Sequence, residues 1–268
     1  MKFMILCPTR SGSNLLVNLL SSHQRLRILG EIFSLDRIAL DEVESIIDFP
    51  IEYLNKKLDP KSDLIHGVGF KMLYDNFKLD YFNKEVKLET SNQDVEKRNL
   101  KLIDFVFSKY SNAQLEHQFD KLWDYYQNDK DLRIIHLTRR NLLKTFVSLK
   151  RAFITDEWIS IKDRKVDNLE IEISKEELET YFNRIVGFNN YYNEFFSEHQ
   201  IFKLEYEDMV SDIEGTMENV LNFLGLEPVK LTSVLKKQNK ARLRDNIKNY
   251  EELKMHFSST QWSGFFED

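Results

Sequence analysis

Seven residues near the amino end, Pro8-Thr9-Arg10-Ser11-Gly12-Ser13-Asn14, bring together the groups that a phosphate-like anion needs. Arg10 carries a full positive charge, Ser11 and Ser13 offer hydroxyl donors, and Gly12 supplies a backbone position without a Cβ penalty. Ahead of them, Lys2 to Cys7 is apolar on both faces, as a parallel strand buried between two layers would be. Behind them, Leu15, Leu16, Leu19 and Leu20 recur at helical spacing, so a helix starts near Ser13 or Asn14, both good N-caps. Strand, tight loop and helix N-terminus aim backbone N–H groups and a helix dipole at one spot, an anion cradle. The loop is not a Walker A motif, because no Gly-Lys-Ser/Thr follows it and no residue is assigned to hold Mg²⁺.

A second chemical residue is Lys71, the one polar side chain interrupting Gly67-Val-Gly-Phe-Lys-Met-Leu-Tyr74. A lysine in an apolar strand is expensive to bury unpaired, so Lys71 is expected near an anion at the strand end. Among the histidines, His136 falls inside a strand-like run and reads as core, while His23 and His66 lie near loops and stand as reserve bases. Cys7 is the single cysteine, which excludes an intramolecular disulfide, and its place in the first strand makes it a buried structural thiol. No His-x-x-x-His with a third ligand appears, so no metal is expected.

These residues need elements to hold them. Leu26–Leu29 reads as a short extended piece, Asp36–Ile47 as a helix, and Gly67–Tyr74, Leu132–Thr138 and Ile201–Tyr206 as further strands. Arg139–Arg151 reads as a helix with a basic start and end, Lys175–Glu198 as a long helix with a core stripe, and Ile213–Leu224 as a helix closed by Gly225. Residues 75–131 read as a helical insertion over the sheet, with helices over Leu100–Tyr110 and Leu115–Tyr126. The alternation implies one α/β domain over 1–268: a P-loop-like parallel sheet flanked by helices in three layers. Ligands in such sheets bind beyond the carboxyl ends of the strands, where the Arg10 loop and the Arg139/Arg140 loop both fall and could share one ligand.

With 268 residues, 42% of them hydrophobic, the chain can bury a sizeable core. A formal net charge of −6 argues against a general nucleic-acid binder, so an anion site must be a local positive pocket. The apolar run before Pro8 is too short for a signal peptide or membrane span, and a cytoplasmic protein without stable membrane insertion is expected.

Pro8 to Asn14 resembles the 5′-phosphosulfate loop of sulfotransferases that use 3′-phosphoadenosine 5′-phosphosulfate (PAPS), in which a Lys or Arg, here Arg10, precedes Ser-Gly. Arg140, after an interior strand, with Ser148 eight positions on, resembles the family's second signature and by that resemblance would hold the 3′-phosphate. A guanidinium fork with a hydroxyl two helical turns further on suits a phosphate. Lys203-Leu-Glu-Tyr-Glu-Asp-Met209, the ending Phe223-Leu-Gly-Leu226, and Gln238 to Leu253 also resemble this family, the last most like bacterial carbohydrate sulfotransferases.

The resemblance implies PAPS as co-substrate, a hydroxyl acceptor on a carbohydrate, glycolipid or small molecule, and an oligomer as an option. It implies Arg10, Ser11, Gly12, Ser13, Asn14, Arg140 and Ser148 as cofactor-binding, with Lys240, Arg242 and Arg244 closing over the 3′-phosphate. Glu31, in a Gly-Glu-x-Phe context, would be the general base, because an attacking hydroxyl must lose its proton. Lys71 would stabilise charge on the sulfuryl group or leaving phosphate. Two other readings stand beside it: a P-loop-type small-molecule kinase, and a sulfotransferase-like module that binds an anion without turnover.

Overall fold

In the computed structural model of the chain, residues 1–79, 93–158, 169–235 and 242–267 are described. Five strands form one all-parallel sheet in the order β2-β3-β1-β4-β5. They are β1 (Lys2–Cys7), β2 (Leu26–Glu31), β3 (Gly67–Leu73), β4 (Arg133–Thr138) and β5 (Ile201–Glu205). The helices are α1 (Ser13–Ser21), α2 (Leu40–Asp48), α3 (Pro50–Leu58), α4 (Gln93–Lys109), α5 (Asn112–Asn128) and α6 (Leu142–Thr155). After them come α7 (Lys175–Phe195), α8 (Tyr206–Ser211), α9 (Ile213–Phe223) and α10 (Tyr250–Phe257).

The apolar run of β1 serves both faces of the sheet. Phe3, Ile5 and Cys7 pack with Leu16, Leu19 and Leu20 of α1 and with Met217, Val220 and Leu221 of α9. Met4 and Leu6 point the other way, into a cluster with Val43, Leu54, Leu102, Leu115 and Trp123 from α2 to α5. The α/β fold and its helix-covered parallel sheet are therefore those expected from the alternation of elements. A third apolar cluster joins α6, the first half of α7 and the carboxyl-terminal segment through Trp262 and Phe266. No helix among the described residues is long and apolar enough to cross a membrane.

Several elements differ from expectation. The extended piece at Leu26 is a full edge strand running to Glu31. The single helix expected from Asp36 is a 3₁₀ turn at Leu35–Arg37 followed by α2, and a further helix, α3, starts on Pro50. Proline suits that place because a first-turn residue has no intrahelical partner for an N–H. Neither Ser13 nor Asn14 caps α1: the N-cap is Gly12, in the left-handed region at φ 89°. A side chain there would collide with the Tyr206 ring, so the glycine is needed for space as well as for conformation. The core stripe of α7 is as read: Leu178, Phe182, Ile185, Tyr192 and Phe196 are all buried.

Candidate active site

The site is built where β1, β2, β3 and β4 end. β1 runs into Pro8, and the chain turns through Arg10, itself left-handed at φ 66°, before α1 begins. Ser11 and Ser13 are buried under this turn, and Ser11 Oγ has no hydrogen-bond partner among the described residues. Cys7 lies beneath them, and burial pushes its thiol pKa up, which suits a structural role.

Sheet register brings Glu31 and Lys71 together. They are directly opposed residues on β2 and β3, after an irregularity between Ile28 and Glu31 that contains Gly30 at φ 65°. Lys71 also opposes Ile5 on β1, so its side chain faces α1. There the ammonium, with only 5% of its side chain exposed, pairs with a Glu31 oxygen. It donates to Asn14 Oδ1 at 2.7 Å and lies 3.5 Å from Ser13 Oγ. The other Glu31 oxygen accepts from Ser34 Oγ at 2.6 Å. Burial pushes the Glu31 carboxyl up, but the Lys71 charge and the hydrogen bonds from Lys71 and Ser34 outweigh it and hold the pKa below the ordinary value.

The second half of the site surrounds Arg10. Its Nε donates to Ser148 Oγ at 3.0 Å and Nη1 to the Trp158 carbonyl at 2.7 Å. Arg139 Nη1 donates to the Arg10 carbonyl at 3.3 Å, and the Arg139 guanidinium lies 4.8 Å from the Tyr206 ring centre. Arg139 Nε is buried without a hydrogen bond among the described residues, its closest carboxylate oxygen being Glu207 at 3.8 Å. Burial, then the neighbouring Arg139 charge, lowers the Arg10 pKa to about 10. Two guanidiniums this close, both taken out of water, favour an anion between or beside them.

The loop expectations divide here. The Arg10 and Arg139/Arg140 loops do meet, and Ser148 from α6 reaches Arg10. Arg140 points elsewhere: half its side chain is exposed, and it is paired with Glu205, the last residue of β5, and with Asp208 of α8. Glu207 receives the Arg140 and Asn141 backbone N–H groups at 3.0 and 3.4 Å, occupying the N-terminus of α6 with an internal carboxylate. Sequence reading placed Arg139 in a loop facing the Arg10 loop but gave it no role of its own, and it passed over Ser34 and Glu207. The signal for Arg139 was its place directly after Thr138, the last residue of β4; Ser34 and Glu207 carried none.

Arg242 pairs with Asp245, three residues on, and Arg244 lies 5.9 Å from the Tyr250 ring; Lys240 lies outside the described residues. His23 and His66 stand just before β2 and β3, at the amino ends of the strands, so neither reaches the cradle as a base. His136 is 3% exposed inside β4 and belongs to the core.

The chain is similar in sequence or fold to several known proteins. The nodulation protein H of Rhizobium tropici is 27% identical over 51% of this chain and 55% of its own length. The nodulation protein H of Rhizobium meliloti is 28% identical over 51% of this chain and 56% of its own length. The chain thus matches about half the length of these relatives. The crystal structure of a sulfotransferase from Alicyclobacillus acidocaldarius superposes with a TM-score of 0.50 at 16% identity, covering 96% of this chain and 90% of that one, a likeness of fold. Residues 3–230, which hold the Arg10 cradle, the Glu31–Lys71 pair and the Ser148 helix, match the sequence profile of the sulfotransferase family, and the chain belongs to that family.

Proposed function

We propose that the chain transfers a sulfuryl group from PAPS to a hydroxyl of a carbohydrate, glycolipid or similar acceptor. The observation that carries this reading is the Lys71 ammonium held between Glu31 and the first residues of α1, at the edge of the Arg10 loop. An acid–base group and an anion cradle joined through one lysine suit a reaction that removes a proton from one oxygen while charge builds on another.

The cradle fits the donor's chemistry. The buried and unpartnered Ser11 Oγ, the neighbouring Arg10 and Arg139 charges and the left-handed turn at Gly12 suit an oxyanion with several acceptors. PAPS would supply the sulfuryl group and leave as PAP. Arg10, Ser11, Gly12, Ser13 and Asn14 would hold its 5′ end. Arg139 and Ser148, both in contact with Arg10, would meet a phosphate there; Arg140 would join them by leaving Glu205 and Asp208. Glu31 would take the acceptor proton, and Lys71 would meet the charge that develops on the leaving phosphate.

The test is sulfate incorporation from labelled PAPS into a panel of sugars and glycolipids, with binding measured in parallel. PAP should bind at least about tenfold tighter than AMP, a difference of about 1.4 kcal/mol. Arg10→Ala should weaken PAP by on the order of 2–5 kcal/mol, since it leaves buried phosphate charge short of a partner. The preference for PAP should shrink in Arg139→Ala, Arg140→Ala or both, which identifies the 3′-phosphate arginine. Equal binding of AMP and PAP by the wild type would refute the donor assignment.

A further inference from the structure

In its resting arrangement Lys71 is committed to the residue that would act as base. It cannot fully neutralise Glu31 and a leaving phosphate together, because an ammonium has one charge and three donors. Its present contacts are the Glu31 carboxylate, Asn14 Oδ1 and, at longer range, Ser13 Oγ. Two of these three belong to the first turn of α1, so a short movement along that line takes the ammonium from the base to the cradle. We propose that Glu31 and Lys71 form a proton-operated handover, in which protonation of Glu31 releases Lys71 toward the cradle anion.

The inference rests on the sulfotransfer reading above. In the reacting complex the acceptor oxygen forms its bond to sulfur and its proton passes to Glu31. The bond between sulfur and the 5′-phosphate oxygen breaks, and its electron pair leaves on that phosphate. Neutral Glu31 no longer holds the ammonium, and Lys71 shifts its charge to the phosphate in the same step. Asn14 and Ser34 are positioning residues here: Asn14 keeps Lys71 pointed at α1, and Ser34 holds the second Glu31 oxygen when Lys71 departs. Handing over one charge costs less than bringing a second cation into a buried site already crowded by Arg10 and Arg139.

The handover has a thermodynamic signature that a fixed lysine lacks. Charged groups facing Glu31 are Lys71 on β3 and Arg37 in the 3₁₀ turn after β2, with the Cys7 thiol of β1 also near. Of the two cations, Lys71 alone among the described residues also reaches the cradle, through Asn14. Glu31→Gln, which mimics the protonated base, should therefore bind PAP about tenfold tighter than wild type. Lys71→Met should bind PAP more weakly. The double variant Glu31→Gln/Lys71→Met should match Lys71→Met within about twofold, because the gain travels through Lys71.

Titration calorimetry on the four proteins reads this directly. An equal gain from Glu31→Gln with and without Lys71 would mean simple removal of a negative charge and would overturn the handover. No gain at all would overturn it too. Should Glu31→Gln fold poorly with its unpaired lysine, proton uptake in the wild type decides instead. PAP binding near pH 6, measured in buffers of different ionisation enthalpy, should take up more proton in wild type than in Lys71→Met, and equal uptake overturns the proposal. Absence of PAP binding by the wild type is a different failure, that of the sulfotransfer reading itself.

Discussion

A histidine inside a parallel strand has to settle two ring nitrogens without water. His136 does so against α7 and the end of β3: Nε2 lies 2.6 Å from Tyr74 Oη, and Nδ1 lies 3.3 Å from Asn193 Oδ1. A neutral ring has one N–H to give, so it donates either to Asn193 Oδ1 from Nδ1 or to Tyr74 Oη from Nε2, and Tyr74 has one hydroxyl proton to divide between His136 and Asn189. Burial drives the pKa of His136 from 6.5 down to about 4. The unfolded chain therefore takes up a proton below about pH 6.5 while the folded chain resists until about pH 4. This contribution is intact above pH 6.5 and is lost as pH falls through that window, on the order of 3 kcal/mol. Urea unfolding at pH 7 and pH 4.5 should show the loss, and His136→Gln should flatten the slope. At Glu31 the same scale of reasoning concerns turnover: Glu31→Gln should lower it by roughly 10²–10⁴-fold while PAP still binds. A glutamine variant that retains wild-type turnover would remove Glu31 as the base.

At the scale of elements, the site depends on where strands stop and how they register. The cradle was legible because it is local: an apolar run, a proline, a glycine and leucines at helical spacing lie within twenty residues. The Glu31–Lys71 pair was only half legible. Each residue stood out alone, but their pairing comes from the register of two strands about forty positions apart and from the irregularity at Gly30. Arg139 and Arg140 could not be told apart locally, since what separates them is Tyr206, Glu205, Glu207 and Asp208, brought alongside by β5 and α8. Gly30 gives this scale its test. Its φ of 65° disfavours any side chain, while the space around it is open, so Gly30→Ala meets backbone strain without a clash. We expect a stability loss of about 1 kcal/mol. Because the strain bears on the residue that aims Glu31, turnover should fall by more than about tenfold with PAP affinity within about threefold. Equal losses in turnover and PAP affinity would mean that the irregularity shapes the whole cradle, not the base alone.

For the whole molecule, the third apolar cluster ties the carboxyl-terminal segment to the Arg10 loop. Ser148 sits on α6, whose N-cap Asn141 donates from Nδ2 to the Phe265 carbonyl at 3.0 Å. Phe265 packs 5.2 Å from Phe182 of α7, and Phe266 stacks 5.7 Å from Phe257 of α10 while its carbonyl accepts from Tyr250 Oη. The carboxyl-terminal segment therefore clamps the start of the helix that delivers Ser148 to Arg10. Phe266→Ala should cost about 3–5 kcal/mol, the usual range for a buried phenylalanine. Leu102→Ala, in the cluster under the opposite sheet face, should cost a similar 2–5 kcal/mol. The two should differ in binding, measured well below either melting temperature. Phe266→Ala loosens the α6 N-cap and with it the Ser148–Arg10 contact, so PAP should bind severalfold more weakly; Leu102→Ala leaves that contact intact and should bind PAP as wild type does. If the two variants lose affinity alike, the clamp serves stability alone and α6 is held at Arg10 by its own packing on the sheet.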